Sequence, residues 1–215
     1  MDNEKARSIL QLKLGFTKDN LKDLELMHDY LLKSDKKYNL ISKSTENSIW
    51  ERHILDSAQL VNFIEFSDNK SLSDLGSGAG FPGLIMAIYN KNPLFHVKLY
   101  EKSQIKRNFL RKLVNEIGIN CEIHENVYNS NNINSEYIIC RAFKKLEEII
   151  KISREIVKKP HKLIVLKGKN AQEEINSVSK GEKFDYKLIK SMTDNDSKIL
   201  VANFLTLLII FQLWS

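Results

Sequence analysis

Residues 71–83 read SLSDLGSGAGFPG, and four of the chain's eight glycines fall at positions 76, 78, 80 and 83, just before the apolar run LIMAI. A turn so poor in side chains lets backbone approach a ligand closely, and Gly78-x-Gly80-x-x-Gly83 matches the dinucleotide fingerprint. In a dinucleotide site such glycines carry a strand into a helix whose N-terminus faces a pyrophosphate. Two residues point to a different ligand. Asp74 sits at the strand end two positions before Gly76, where its charge repels a pyrophosphate and suits a cation. Pro82 stands at the start of the next helix and removes a backbone N–H that a phosphate would use. S-adenosylmethionine (SAM), with an amine, a sulfonium and no phosphate, fits both. Glu101, 25 residues beyond Gly76, closes the following strand, where a carboxylate can accept from both ribose hydroxyls. The alternative for Glu101 is a plain surface residue ahead of a helix.

Outward from the turn, short apolar runs alternate with helical patterns, as in a βαβ sheet. The runs lie at 72–75, 95–100, 119–123, 137–140, 163–166, 186–189 and 199–204, which makes seven strands. After the second run, Ile105, Phe109, Leu110, Leu113, Val114 and Ile117 share one helix face, and Gly118 stands at the C-cap. The opposite face carries Lys102, Lys106, Arg107, Arg111 and Lys112 and reads as a solvated face or as a patch facing RNA. Residues 129–135 read as a polar loop. Residues 4–66 look helical, broken by a polar stretch over 38–47 in which Thr45 or Asn47 is expected to cap the later helix.

A chain of 215 residues has room for one domain with a helical extension, drawn here at 1–66 and 67–215 and expected to form one compact unit. The net charge of +6 suits a polyanion, although a bias toward Lys, Ile and Asn would raise it equally well. Cys121 and Cys140 form neither a metal pattern nor a disulfide framework, and residues 1–30 show no secretory h-region, so a cytoplasmic protein is expected. Residues 199–214 are almost continuously apolar but fall short of the ~20 a membrane helix needs, and no stable membrane association is expected. A buried last strand explains only the first half of that stretch.

Asp74-x-Gly76-x-Gly78-x-Gly80 with Glu101 resembles the class I SAM-dependent methyltransferases. Further blocks narrow the resemblance. Tyr38-Asn39-Leu40-Ile41, Glu51-Arg52-His53-Ile54-Leu55-Asp56-Ser57, Phe81-Pro82-Gly83, Cys140-Arg141-Ala142-Phe143 and Leu166-Lys167-Gly168 are similar, in that order, to blocks of the bacterial small-subunit rRNA guanine-N7 methyltransferases, also called glucose-inhibited division protein B. The similarity runs from about residue 21 to 204. It implies an α/β Rossmann-like sheet of seven strands, five parallel with a final hairpin, and an N-terminal helical extension. It implies methyl transfer from SAM to N7 of a guanosine (nucleotide 527) in the 530 loop of 16S rRNA, by a monomer acting on the RNA, the small subunit or an assembly intermediate, and not on DNA. Family members usually stop soon after the last strand, whereas this chain continues through 205–215.

By the same resemblance Gly76, Phe81, Val127, Tyr128 and Arg141 contact the cofactor. Tyr128 stands where the family commonly has an acid to meet the adenine amine. Guanine N7 carries a lone pair and no proton, so no general base is expected. An arginine that took O6 and N7 together would cover the reacting atom, which leaves Arg141 to the cofactor, to O6 alone or to phosphate. Arg52, His53 and Asp56 are candidates for substrate positioning, with Arg52, His53 and Arg141 forming the catalytic set. Against this, Arg52 and Asp56 are four apart and would pair on a helix, and His53 would serve as an ordinary helix-face residue. Lys167 is a phosphate contact or a solvent-exposed lysine. The rival functions are a non-catalytic RNA-binding or ribosome-assembly protein, a small-molecule methyltransferase, and an NAD-dependent oxidoreductase using Gly78, Gly80 and Gly83.

Overall fold

Apolar residues repeating every three or four positions set the first two helices. A computed structural model describes residues 3–129, 132–179 and 184–204. Helix α1 (Asn3–Leu14) buries Ala6, Leu10 and Leu14, and α2 (Lys18–Tyr38) buries Leu24, Met27 and Leu31. Thr17 and Asn20 form a capping box at the start of α2. At its end Asn39 adopts a left-handed conformation, and Asp35 accepts from the backbone N–H groups of Leu40 (2.5 Å) and Ile41 (2.9 Å). The block Tyr38-Asn39-Leu40-Ile41 is thus a helix end fastened by a buried carboxylate.

Short helical turns follow: a 3-10 turn over Lys43–Ser48, a π turn over Trp50–Leu55, α3 (Asp56–Ala58) and a 3-10 turn over Gln59–Phe63. Thr45 and Asn47 lie inside the first of these and cap nothing, because the next turn begins after Ile49 with no side-chain cap.

The strands are β1 (Ser71–Leu75), β2 (His96–Tyr100), β3 (Glu122–His124), β4 (Tyr137–Arg141), β5 (His161–Lys167), β6 (Asp185–Lys190) and β7 (Lys198–Phe204), in the order β3-β2-β1-β4-β5-β7-β6. β1 to β5 are parallel, and β7 lies antiparallel between β5 and β6. The expected seven strands and final hairpin are all present. Only the third is displaced from 119–123, shrinking to three residues at the sheet edge. The chain winds outward both ways from β1 and β4, and in open α/β sheets ligands bind in the crevice beyond the strand ends at that reversal.

Helices α4 (Gly83–Tyr89), α5 (Gln104–Ile117), α6 (Leu146–Ile156) and α7 (Ala171–Ser179) cover the sheet. Alternation along the strands divides the core in two. Leu72, Leu99 and Ile139 pack with α1, α2, α4 and α5, while Leu75, Ile138 and Leu163 pack with α6 and α7. Two α5 expectations are reversed. Ile105 is 54% exposed, and Arg107 is buried, its Nη1 donating to the carbonyls of Glu101 (2.9 Å) and Lys102 (2.7 Å). The end of the expected polar loop is also structural, since buried Ser135 shares a hydrogen bond with Ser73 (2.8 Å). Residues 205–215, the apolar continuation, lie outside the described residues. Among the described residues no helix is long and apolar enough to cross a membrane.

Candidate active site

The glycine turn leaves β1 with positive φ at Gly76 (75°), Gly78 (58°) and Gly80 (100°). The N–H groups of Gly76 and Ser77 both donate to the Tyr100 carbonyl (2.9 and 3.0 Å), which ties the turn to the end of β2. A Cβ on Gly76 would stand 2.5 Å from Cδ2 of Phe143, so that ring occupies the space a side chain would need. Gly83 serves close packing instead: its Cβ would lie 2.6 Å from the Cβ of Asp74. Pro82 stands one residue ahead of α4 rather than within it, after a cis bond from Phe81. The first N–H of α4, from Gly83, donates to Asp74 Oδ2 at 2.9 Å, so a protein carboxylate already holds the donor a phosphate would want.

Asp74 is fully buried, and burial pushes its carboxyl up to about 7 despite the Gly83 hydrogen bond. Its Oδ1 has no partner among the described residues. Glu101 is buried too, accepting from Gly78 N–H through Oε2 (2.9 Å) and from Ser103 N–H through Oε1 (2.7 Å). Glu101 is therefore no loose surface residue: it fixes the turn, and each oxygen keeps a lone pair for a hydroxyl. An orphaned buried carboxylate oxygen, a side-chain-free turn and a second carboxylate suit a ligand with a cationic end and a ribose. SAM has both.

Beyond the turn, Phe81 carries two groups. The His53 ring stacks on it with centroids 5.0 Å apart, and the Arg141 guanidinium lies 5.1 Å from its centroid. Arg141 Nη1 donates to the Arg52 carbonyl (2.9 Å) and Nη2 to His53 Nδ1 (2.7 Å). A guanidinium only donates, so Nδ1 accepts and the ring proton resides on Nε2. Nε2 then donates to Thr45 Oγ1 (2.8 Å), and the Thr45 hydroxyl donates to the Ser42 carbonyl (2.8 Å). Burial and the neighbouring Arg141 and Arg52 charges push His53 down to about 3, so the ring is neutral at physiological pH.

Asp56 is a hub rather than an open ligand group. Its Oδ1 accepts from Gln59 Nε2 (3.0 Å), Thr193 Oγ1 (2.9 Å) and Ser191 Oγ (3.4 Å), and Oδ2 lies 3.6 Å from Arg141 Nη1. Burial holds its carboxyl above the usual range even so. Arg52 reaches past it to Asp194 (3.4 Å), so Arg52 and Asp56 have separate partners instead of each other. The β6–β7 loop is thereby fastened to the turns before β1. Met192 N–H adds a bond to Gln59 Oε1 (2.9 Å).

Next to this hub, past the ends of β4 and β5, lies a cavity of about 360 Å³ lined by Asp56, Arg141, Ala142, Lys167, Asn170 and Glu174, among others. Ala142 holds a left-handed conformation (φ 50°), a strained choice for a residue with a side chain. Lys167 lines the cavity with its side chain only 13% exposed, and its Nζ meets Glu174 Oε2 at 2.7 Å. Val127 is buried beneath the strand ends with Leu75 and Tyr100. Tyr128 is 52% exposed, and its hydroxyl donates to Glu148 on α6 (3.4 Å).

The sequence singled out Arg52, His53, Asp56 and Arg141, and the fold brings them together. It gave Thr45 only as a helix cap and Phe143 only as part of the Cys140-Arg141-Ala142-Phe143 block, and it passed over Gln59, Glu174 and the 191–194 loop.

The family model of rRNA small subunit methyltransferase G matches residues 20–200. A ribosomal RNA small subunit methyltransferase G from Pelagibacter ubique (strain HTCC1062) is 37% identical over 188 residues, covering 85% of this chain and 88% of that protein. One from Rickettsia akari (strain Hartford) is 35% identical over 195 residues, covering 90% and 98%. Among solved structures, a SAM-dependent methyltransferase from Aquifex aeolicus superposes with a TM-score of 0.59 over 80% of this chain and 98% of that one, at 13% identity, a likeness of fold. A fold of this class and an ordered set of matching blocks along most of the chain agree: the protein belongs to the rRNA small subunit methyltransferase G family.

Proposed function

We propose that this protein transfers a methyl group from SAM to N7 of a guanosine in the 530 loop of 16S rRNA. The observation that carries this is the juxtaposition, across Phe81, of the Asp74–Glu101 glycine turn with Arg141 and the neighbouring cavity. Asp74, Gly76, Gly78, Gly80, Phe81, Glu101, Val127 and Tyr128 would hold SAM, which when bound supplies an electrophilic methyl group on its sulfonium.

The protein's own contribution is positioning and electrostatics. Both nitrogens of His53 are engaged, so the ring serves as a strut that holds Arg141, not as a base. That suits attack by N7, which has no proton to give up. Methylation leaves the purine positively charged, and the Asp56 and Glu174 carboxylates lining the cavity favour that charge. Arg141 and Lys167 line the cavity wall, and their charges would favour a phosphate or O6 there. Arg52 braces the rim through Asp194.

Transfer of labelled methyl from SAM to 16S rRNA or small subunits lacking the modification tests this, followed by borohydride and aniline cleavage to find 7-methylguanosine. One cut in the 530 loop is the expected result. Label incorporated without a cut would overturn N7 as the acceptor, and transfer to a small molecule that persists when ribonuclease has destroyed the RNA beforehand would overturn the RNA substrate.

A further inference from the structure

An enzyme that alkylates N7 must leave that atom open, which rules out the common recognition of guanine by an arginine spanning O6 and N7. The edge that remains presents N1–H and the N2 amine, both donors, and it calls for an acceptor such as a carboxylate. The cavity beside Arg141 has two, Asp56 and Glu174. Oδ1 of Asp56 accepts three hydrogen bonds within the protein, and its Oδ2 faces the Arg141 guanidinium at 3.6 Å. Glu174 differs. Its Oε2 forms an ion pair with Lys167 Nζ (2.7 Å) and accepts from the Leu146 backbone N–H (2.8 Å), which anchors that oxygen. Its Oε1 has no partner among the described residues.

We propose that Glu174 is the specificity residue of the reaction, its Oε1 accepting from N1–H and N2–H of the target guanine inside this cavity while N7 stays free. The proposal rests on the N7 reading given above. The volume of about 360 Å³ lies at the low end for small-ligand pockets, in keeping with a single nucleoside turned out of its strand. Lys167 acts as the positioning group, since its ammonium and the Leu146 N–H set the direction of the carboxylate. Adenine would meet Glu174 with its N1 lone pair and be repelled.

The test compares RNA carrying guanosine or inosine, which lacks the N2 amine, at the methylated position, with the full-length protein and Glu174→Gln. The wild-type protein is expected to favour guanosine in kcat/KM by at least about tenfold, the scale of one hydrogen bond to a charged group. Glu174→Gln is expected to lose about tenfold or more on guanosine RNA and to use the two RNAs within about threefold of each other. Equal use of both RNAs by the wild-type protein overturns the assignment, and that arm stands even if the variant fails to fold. A variant that is slower but keeps the wild-type preference overturns it too, since a merely structural role lowers both rates together. Absence of transfer to guanosine RNA by the wild-type protein overturns the N7 reading itself.

Discussion

Arg141 donates to the Arg52 carbonyl and the His53 ring, faces Asp56 and covers Phe81. A lysine supplies one point charge and cannot span these partners. Arg141→Lys is expected to lower kcat/KM for methyl transfer about 100-fold, with the circular dichroism of the fold retained; a loss under threefold would remove Arg141 from the site. His53 makes a prediction with a sign. Its folded pKa of about 3 lies below the ordinary 6.5, so between these values the unfolded chain binds more protons and stability falls as pH drops. Urea titrations at pH 7.5 and 5.0 should show His53→Gln losing less stability across that interval than the wild type, by at most about 2 kcal/mol. Equal losses would contradict the buried, neutral ring. At this scale the sequence marked residues whose chemistry is unusual for their place, such as Asp74 and Glu101. It could not mark Glu174, and it read Thr45 as a cap, because both are ordinary polar residues whose roles come from partners 7 to 28 and 8 positions away.

Among the elements, the join of β1 to α4 leaves no room for a side chain at Gly83. A methyl group on Gly83 would press on Asp74 Cβ and part the helix from the strand. Gly83→Ala is expected to destabilise the fold by about 1–3 kcal/mol and to weaken SAM binding, measured by calorimetry. Ala142→Gly should do the reverse for stability, raising it by about 1 kcal/mol, because glycine adopts φ 50° without strain. A lower melting temperature for that variant would show that the Ala142 methyl packs more usefully than its backbone strains. Most strands were legible because they bury their own apolar runs, β6 only in part, and β3 slipped because an edge strand of three residues buries little. The first turn of α5 misled through its types: Arg107 is inside because carbonyls of Glu101 and Lys102 meet its charge, and Ile105 is left outside.

At the scale of the whole molecule, the boundary at residue 66 divides one core. Leu24, Leu31, Trp50 and Leu60 belong to the same cluster as Leu72, Ile85 and Leu99. A chain beginning at residue 67 is expected to lose its near-ultraviolet dichroism and to bind a hydrophobic dye, as a compact state without fixed packing does. Cooperative, native-like unfolding of that fragment would show two independent units. The sheet could be anticipated from local runs, but the seating of the early helical turns over the strand ends could not. It depends on pairs such as Arg141–His53 and Arg52–Asp194, 88 and 142 positions apart. The fastening of the β6–β7 loop to Asp56 also sets an order on biosynthesis. Asp56 leaves the ribosome early, yet Thr193, which helps to hold it against Arg141, emerges 137 residues later. A nascent chain therefore carries both the glycine turn and Arg141 well before its Asp56 hub is complete, and the mature arrangement arises only after the last hairpin has been made.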